Sequence, residues 1–222
     1  MTLLQVEGLN AWYGAAQAVF DVSLHVKRGE VVALTGPNGA GKSSTLKALM
    51  GLMPRRQGRV HWLGVDVSAW PTHQLARAGL GYVPQDRRIF TDLTVLQNLR
   101  IAAQAPRRFA DGRAAAQWDV ERVLTLFPNL AHMLERPAHQ MSGGEQQMLT
   151  VARTMMGNPL LVLLDEPSEG VAPVIVAQMA DAILALKAAG VGILLSEQNE
   201  AFTRAVSDRQ ITLTHGVASA TG

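Results

Sequence analysis

The sequence predicts a single α/β domain with an inserted helical subdomain. Two strand–loop–helix units lie toward opposite ends of the chain, and period-2 patterns and short apolar runs dominate both ends. The stretch between the two units carries helical patterns and no convincing strand. At roughly 150 residues per domain, 222 residues make one domain or slightly more. We therefore expect residues 1–222 to form one domain, with an α/β core of about 1–87 and 151–222 and a helical subdomain of about 88–150.

The first strand–loop–helix unit begins with the apolar run Val31–Leu34. A cluster typical of turns, Thr35–Gly39, ends this run and predicts a loop. Leu46, Leu49 and Met50 then recur at the spacing of one helix face. The pattern predicts the first half of a βαβ unit.

The second unit begins with Leu160–Leu164, a continuous apolar run typical of a parallel strand that is covered on both faces. Pro173 opens a helical pattern that ends before Gly190, and Val191–Leu195 predicts another buried strand. The final stretch, residues 211–219, predicts a small hairpin.

Composition and charge exclude several classes of protein. The chain is 48% hydrophobic and 17% charged, which excludes a disordered chain, and it has no cysteine for disulfides, thiol catalysis or metal binding. A net charge of +2 does not indicate nucleic-acid binding. No apolar run approaches the ~20 residues that span a bilayer, and Met1–Asn10 lacks the features of a signal peptide. We expect a cytoplasmic protein that does not bind nucleic acid.

A glycine-rich motif follows the first strand. Gly36-Pro37-Asn38-Gly39-Ala40-Gly41-Lys42-Ser43 matches the complete pattern G-x-x-x-x-G-K-[ST], in which backbone N–H groups and the start of a helix hold phosphates. Lys42 would reach the β- and γ-phosphates, and the Ser43 hydroxyl would bind Mg²⁺. The alternative is an ordinary glycine-rich turn. We favour the phosphate-binding loop because a strand precedes it and a helix follows it, as the mechanism requires.

Two carboxylates follow the second buried strand. Asp165 and Glu166 lie at the carboxyl end of Leu160–Leu164, where ligands bind in open α/β sheets. Asp165 is placed to hold Mg²⁺ through its water shell, and Glu166 is placed to polarise an attacking water. A solvated Asp-Glu pair at a strand end is the alternative, which the complete glycine motif disfavours.

A third motif precedes a helical pattern in Met141-Ser142-Gly143-Gly144-Glu145-Gln146-Gln147. Ser142 and Glu145 have the spacing of a capping box, which is a purely structural interpretation. A cap alone does not require two glycines, whereas close approach to a phosphate suits them. Because the glycine motif of the same subunit already holds the triphosphate, this second site is expected to face a neighbour's nucleotide.

The three motifs, in this order, resemble those of an ATP-binding cassette (ABC) ATPase over essentially the whole chain. The resemblance implies a P-loop NTPase (RecA-like) core with an N-terminal antiparallel β part and an inserted helical subdomain. It also implies a head-to-tail dimer that encloses two ATP molecules with Mg²⁺. Each ATP would be held by the P-loop of one subunit and by Ser142-Gly143-Gly144 of the other.

Further site residues are implied by the resemblance, position by position. Tyr13 matches the aromatic that stacks on adenine, although an edge-strand aromatic is the alternative, and Gln85 matches the glutamine that touches Mg²⁺ or the attacking water. Two positions depart from the family pattern. Ala172 replaces an aspartate that many relatives have. Gln198 occupies the place of the family's switch histidine, and an amide side chain cannot carry a proton. The implied nucleotide-binding residues are Tyr13, Gly36, Pro37, Asn38, Gly39, Ala40, Gly41, Lys42, Ser43, Ser44, Ser142, Gly143 and Gly144; the catalytic ones are Lys42, Gln85, Glu166 and Gln198; and the Mg²⁺ ligands are Ser43, Gln85 and Asp165.

Within the family, three segments together resemble those of the ATPases of branched-chain amino-acid importers: residues 141–148, residues 166–173 and Glu197-Gln198-Asn199. Within the second segment, Ser168-Glu169-Gly170 is similar to the ATPases of a related group. ATPases for urea and short-chain amide uptake are the alternative. The resemblance implies a second, related ATPase subunit, two transmembrane permeases and, indirectly, an extracytoplasmic solute-binding protein. The expected location is peripheral, on the inner face of the cell membrane.

Two other functions are less favoured. A soluble ABC ATPase acting on DNA or ribosomes would need features such as a long coiled-coil arm, a second cassette or a basic patch, and the sequence has none of them. A clamp that binds nucleotide without hydrolysis would not need a base at Glu166.

Overall fold

A twisted β-sheet and the helices on its two faces make up the computed structural model, which describes residues 1–109 and 111–220. The strands are β1 (Thr2–Tyr13), β2 (Ala16–Lys27), β3 (Val31–Thr35), β4 (Arg55–Trp62), β5 (Val65–Asp66), β6 (Leu80–Val83), β7 (Leu161–Asp165), β8 (Gly192–Ser196), β9 (Arg209–Thr214) and β10 (Val217–Ala220). The helices are α1 (Lys42–Leu49), α2 (Thr72–Arg77), α3 (Val95–Ile101), α4 (Val120–Leu126), α5 (Pro128–Ala131), α6 (Gly143–Met156), α7 (Pro173–Ala188) and α8 (Glu200–Val206), with a 3₁₀ turn at Ala138–Gln140.

The sheet has a parallel half and an antiparallel half. Its order within the described residues is β5-β4-β1-β2-β10-β9-β3-β8-β7-β6. Strands β9, β3, β8, β7 and β6 pair in parallel, whereas β5, β4, β1 and β2 pair antiparallel. The predicted α/β class with an N-terminal antiparallel part is therefore confirmed, as is the final hairpin, which β9 and β10 form.

Helices cover both faces of the parallel half. Along β7, Leu161 and Leu163 pack into one hydrophobic cluster together with Leu46 of α1. Val162 and Leu164 point to the opposite face and pack with residues of α6 and α7. Because strands buried on both faces need apolar residues at every position, the continuous apolar runs of the sequence mark these central strands.

The predicted helical segment contains α3, α4, α5 and the start of α6. In its described residues, 88–109 and 111–150, the β-structure consists of two isolated bridges, Thr94 with Pro137 and Arg108 with Ala114. Helix α6 continues to Met156, so the expected boundary at residue 150 lies inside this helix. This one helix therefore connects residues 142–144, just before its start, to the core at its end.

No helix in the described part of the chain combines the length and the apolar character that a membrane span requires.

Candidate active site

The loop between β3 and α1 encloses a lysine. This segment, the glycine loop (residues 36–43), leaves β3 at Gly36, whose φ is +134° and where a Cβ would overlap the backbone oxygen of Leu213. Lys42 begins α1 and is only 3% exposed. Its ammonium group donates to the carbonyl oxygens of Gly36 (3.0 Å) and Pro37 (3.1 Å). The structure therefore folds the glycine loop around a buried cation, which provides a site for an anion.

Asp165 ends β7 and is 1% exposed. The hydroxyl groups of Ser43 and Ser196 each donate to its Oδ1 at 2.7 Å, and the hydroxyl of Tyr82 lies 3.3 Å from its Oδ2. Burial raises the pKa of the Tyr82 phenol well above its ordinary value of 10.0, and the negative charge of Asp165 raises it further. Tyr82 therefore remains a neutral donor to this carboxylate.

Sequence reasoning identified Ser43 and Asp165 but missed Ser196 and Tyr82 as their partners. Ser196 is the residue paired with Asp165 across the parallel register of β7 and β8. A polar residue that ends an otherwise apolar strand is the signal that could have identified it.

Glu166 lies beside Lys42 in a left-handed backbone conformation. Its φ is +48° and its exposure is 7%. Its Oε1 lies 3.3 Å from Nζ of Lys42 and accepts from Nε2 of Gln198 at 3.2 Å. Gln198 also donates to Oδ1 of Asn38 in the glycine loop. A non-glycine residue in this conformation costs about 1–3 kcal/mol and is typical of functional sites.

An open cleft of about 590 Å³ lies in front of these groups. Its volume falls within the range of roughly 300–1,000 Å³ that small-molecule sites occupy. The lining residues are Gln17, Ala18, Phe20, Asn38, Gly39, Ala40, Gly41, Lys42, Ser43, Ser44, Gln85, Glu166 and His215. Four of these residues were not expected from the sequence: Gln17, Ala18, Phe20 and His215. They belong to β2 and to the turn of the final hairpin, which come close to the glycine loop only because of the order of the strands in the sheet.

Tyr13 and Gln85 occupy a neighbouring cleft of about 590 Å³, which Asp165 also lines. Tyr13 is 46% exposed at the end of β1 and is not among the described residues that line the glycine-loop cleft. Gln85 lines both clefts, and its side-chain amide donates to the carboxylate of Glu169. The structure thus places Gln85 where the two clefts meet.

The signature segment, residues 142–144, caps α6. The backbone N–H of Ser142 donates to Oε2 of Glu145 at 2.6 Å, and the Ser142 hydroxyl accepts from the Glu145 N–H, so the predicted capping box is confirmed. The second of the two glycines also has a cause within the chain. A Cβ at Gly144 would lie 2.9 Å from the Ile175 side chain, whereas one at Gly143 would meet only the flexible end of the Arg87 side chain, which can move away.

The single chain does not bring the signature segment to its own glycine loop. None of residues 142–144, which are all in the described part of the chain, lines the cleft in front of Lys42. Ala172 occupies the N-cap position of α7, and its methyl side chain makes no capping hydrogen bond. The replacement of the family's aspartate by alanine therefore leaves this helix without a side-chain cap.

Comparison with known proteins identifies the family. The family model described as "ABC transporter" matches residues 19–169. The chain is 39% identical to the high-affinity branched-chain amino acid transport ATP-binding protein BraG of Pseudomonas aeruginosa, over 96% of this chain and 90% of that protein. It is 36% identical to the lipopolysaccharide export system ATP-binding protein LptB of Escherichia coli, over 97% of this chain and 88% of that protein.

Solved structures agree with this result. A nucleotide-free ATP-binding cassette from an ABC transporter superposes with a TM-score of 0.83 at 27% identity, covering 100% of this chain and 91% of that chain. An ATP-binding subunit of an ABC transporter superposes with a TM-score of 0.81 at 31% identity, covering 99% and 89%. The chain belongs to the ABC transporter family and is an ATP-binding ATPase subunit that works with transmembrane partners.

Proposed function

We propose that this ATPase powers the import of branched-chain amino acids, with Glu166 as the general base that activates water for ATP hydrolysis. The observation that carries the catalytic part is the position of the Glu166 carboxylate, between Lys42 and Gln198 at the edge of the glycine-loop cleft. General-base assistance of this kind contributes about 10²–10⁴-fold to a rate.

The glycine loop would hold the triphosphate. Its carbonyl oxygens at Gly36 and Pro37 now satisfy the Lys42 ammonium. A phosphate would offer this ammonium a further charged acceptor besides Glu166, and charge-assisted hydrogen bonds are roughly twice as strong as neutral ones. Residues 36–44 would therefore bind the phosphates, and Tyr13, exposed nearby, would stack on the adenine.

Ser43, Asp165 and Gln85 would hold Mg²⁺. The Ser43 and Asp165 oxygens are 2.7 Å apart, and hydroxyl, carboxylate and amide oxygens are hard ligands that suit this ion together with several waters. When bound, Mg²⁺ would supply positive charge that offsets the negative charge of the phosphates. Ser196 and Tyr82 would keep Asp165 oriented for that ion through their hydroxyl groups.

Gln198 would orient the base rather than take part in proton transfer. Its amide joins Glu166 to Asn38 of the glycine loop, and a neutral amide donates without titrating. The proton from the attacking water would pass to the Glu166 carboxylate, while Lys42 and Gln198 stabilise charge at the γ-phosphate.

A second ATPase subunit would complete the site. Residues 142–144 cap α6 away from the cleft of their own chain, and a helix N-terminus favours an anion. We infer a head-to-tail dimer, more readily with a related subunit than with a second copy, in which this segment faces the partner's ATP.

The permeases would dock at a groove beside the 85–90 segment. This groove of about 630 Å³ has an apolar floor and four arginines, and none of its lining residues, all from the described part of the chain, is Asp or Glu. The Arg153 Nη1 atom is buried there and lacks a hydrogen-bond partner in the described structure. The arginines are Arg77, Arg88, Arg107 and Arg153, and the apolar residues include Met50, Leu52, Leu80, Pro84 and Pro159. An apolar segment with a carboxylate on a permease would fit, and such docking would hold the subunit on the inner face of the membrane.

The substrate class is supported by the BraG similarity and by the motif resemblance, with urea or short-chain amide uptake as the alternative. Lipopolysaccharide export is a second candidate, because LptB of Haemophilus influenzae is 35% identical over 100% of this chain.

Deletion of the gene distinguishes between these candidate substrates. We expect loss of labelled leucine, isoleucine and valine uptake, restored by the wild-type gene and not by Glu166→Gln. Normal uptake of these amino acids, with loss of urea uptake or defective lipopolysaccharide transport, would contradict the proposal.

A further inference from the structure

Glu197 is a buried carboxylate that the proposed mechanism does not use. It is 2% exposed, and none of the ion pairs found in residues 1–109 and 111–220 includes it. Burial of a carboxylate without a cation costs several kcal/mol unless hydrogen bonds compensate. Its hydrogen bonds therefore indicate what the carboxylate does.

Backbone N–H groups from two loops donate to the Glu197 side chain. Its Oε1 accepts from the N–H groups of Gln198 (2.8 Å) and Asn199 (3.1 Å). Its Oε2 accepts from the N–H of Ser168, in the loop that follows Glu166, at 3.3 Å. Its own backbone N–H donates to the oxygen of Leu34, two residues before the glycine loop, at 3.1 Å.

Glu197 therefore joins the three segments that line the hydrolytic site. One carries Gln198, one carries Glu166, and one leads into the glycine loop. The side chain of Gln198, the residue after Glu197, donates to both Glu166 and Asn38. The direction of this side chain depends on how the Gln198 backbone is held. Asn199, which caps α8 by accepting from the N–H of Phe202 at 3.1 Å, fixes the other end of this loop.

We propose that Glu197 is a positioning residue that locks the Gln198 loop against the loop following Glu166 and thereby sets the orientation of the catalytic carboxylate. This inference rests on the proposed role of Glu166 as the base. A carboxylate suits this task because it accepts several N–H groups at once, whereas a glutamine in its place offers one oxygen and turns an NH₂ group toward a donor.

The test is steady-state ATP hydrolysis by the full-length protein, with its natural ATPase partner present, over a range of Mg·ATP concentrations. Glu197→Gln should lower kcat by about 10–100-fold, because small displacements of a catalytic group have effects of this size. KM for ATP should stay at the wild-type value, since the glycine loop and Lys42 are unchanged. Glu197→Asp keeps the charge but is one methylene too short to join both loops. This variant should therefore also lower kcat and leave KM for ATP unchanged. The matched control is Glu200→Gln, an exposed carboxylate three residues further on that should retain wild-type kinetics.

A double-mutant cycle tests whether Glu197 affects kcat through Gln198. If Glu197 acts through Gln198, then Glu197→Gln should cause no further loss of kcat in a Gln198→Ala background. Multiplicative losses in the double variant would overturn the inference. So would a wild-type kcat in both Glu197 variants, an equal change in kcat and KM, or failure of both variants to fold, which would make Glu197 a structural residue. Absence of hydrolysis by the wild-type protein would instead contradict the proposed function.

Discussion

The ammonium group of Lys42 lies 3.3 Å from Oε1 of Glu166, and both side chains are more than nine-tenths buried. The lysine comes from the loop after β3 and the glutamate from the end of β7, so the sheet brings the two charges together. The pair makes the site ready for ATP, because the cation has a charged partner before the phosphates arrive.

Lys42→Ala should abolish tight ATP binding. The ammonium would contribute charge-assisted hydrogen bonds worth about 1.5–3 kcal/mol, which corresponds to roughly a 10–100-fold weaker affinity. Isothermal titration calorimetry with ATP and Mg²⁺ measures the affinity of each variant for ATP. Lys27→Ala, at an exposed position at the end of β2, is the charge-matched control and should bind normally. An unchanged affinity in Lys42→Ala would remove the phosphate-binding assignment of the glycine loop.

Glu166→Gln should retain ATP binding and lose turnover. The amide preserves the shape of the side chain but cannot accept the proton, so we expect a fall of about 10²–10⁴-fold in the hydrolysis rate. Phosphate release at saturating ATP is the measurement, with the exposed Glu135→Gln as the control. Equal hydrolysis by the wild-type protein and Glu166→Gln would exclude Glu166 as the base.

Gln198→His should introduce a pH dependence that the wild-type side chain cannot have. An imidazole titrates near about 6.5, and its protonated form would place a positive charge beside the Glu166 carboxylate, making it a poorer base. The ratio of variant to wild-type hydrolysis rates should therefore fall as the pH is lowered from about 8 to about 6. A ratio that is constant with pH would show that residue 198 does not act on the base.

Tyr82→Phe should make the protein less sensitive to alkaline pH. The pKa of Tyr82 is raised in the folded state above its ordinary 10.0, chiefly by burial and then by Asp165. The folded state therefore keeps a proton that the unfolded state loses. The stability that this tyrosine contributes is fully present below about pH 10 and is lost as the pH rises beyond it.

Urea unfolding at about pH 9 and about pH 11 measures this difference. Tyr82→Phe should lose less stability between the two conditions than the wild-type protein, although at neutral pH it should be about 1 kcal/mol less stable through the lost hydrogen bond. Equal losses in the two proteins would contradict the assigned environment of the phenol.

The sequence predicted the elements that local patterns determine. Apolar runs identified β3, β7 and β8, and the placement of Asp165 and Glu166 followed because carboxyl ends of parallel strands meet at one edge. The partners of Asp165 were missed, because Ser196 and Tyr82 reach it across the sheet, from strands 31 and 83 positions away in the chain. The neighbours of the signature glycines were missed for the same reason, since Arg87 and Ile175 approach them from distant segments.

The central claim is that ATP joins the glycine loop of one subunit to residues 142–144 of another. Light scattering on Glu166→Gln, alone and with its natural ATPase partner, tests it most directly when ATP and Mg²⁺ are added. We predict that ATP converts the 23.9 kDa monomer into a dimer of two such subunits, and that removing nucleotide reverses this. A chain that stays monomeric with saturating ATP and its partner present would contradict the account.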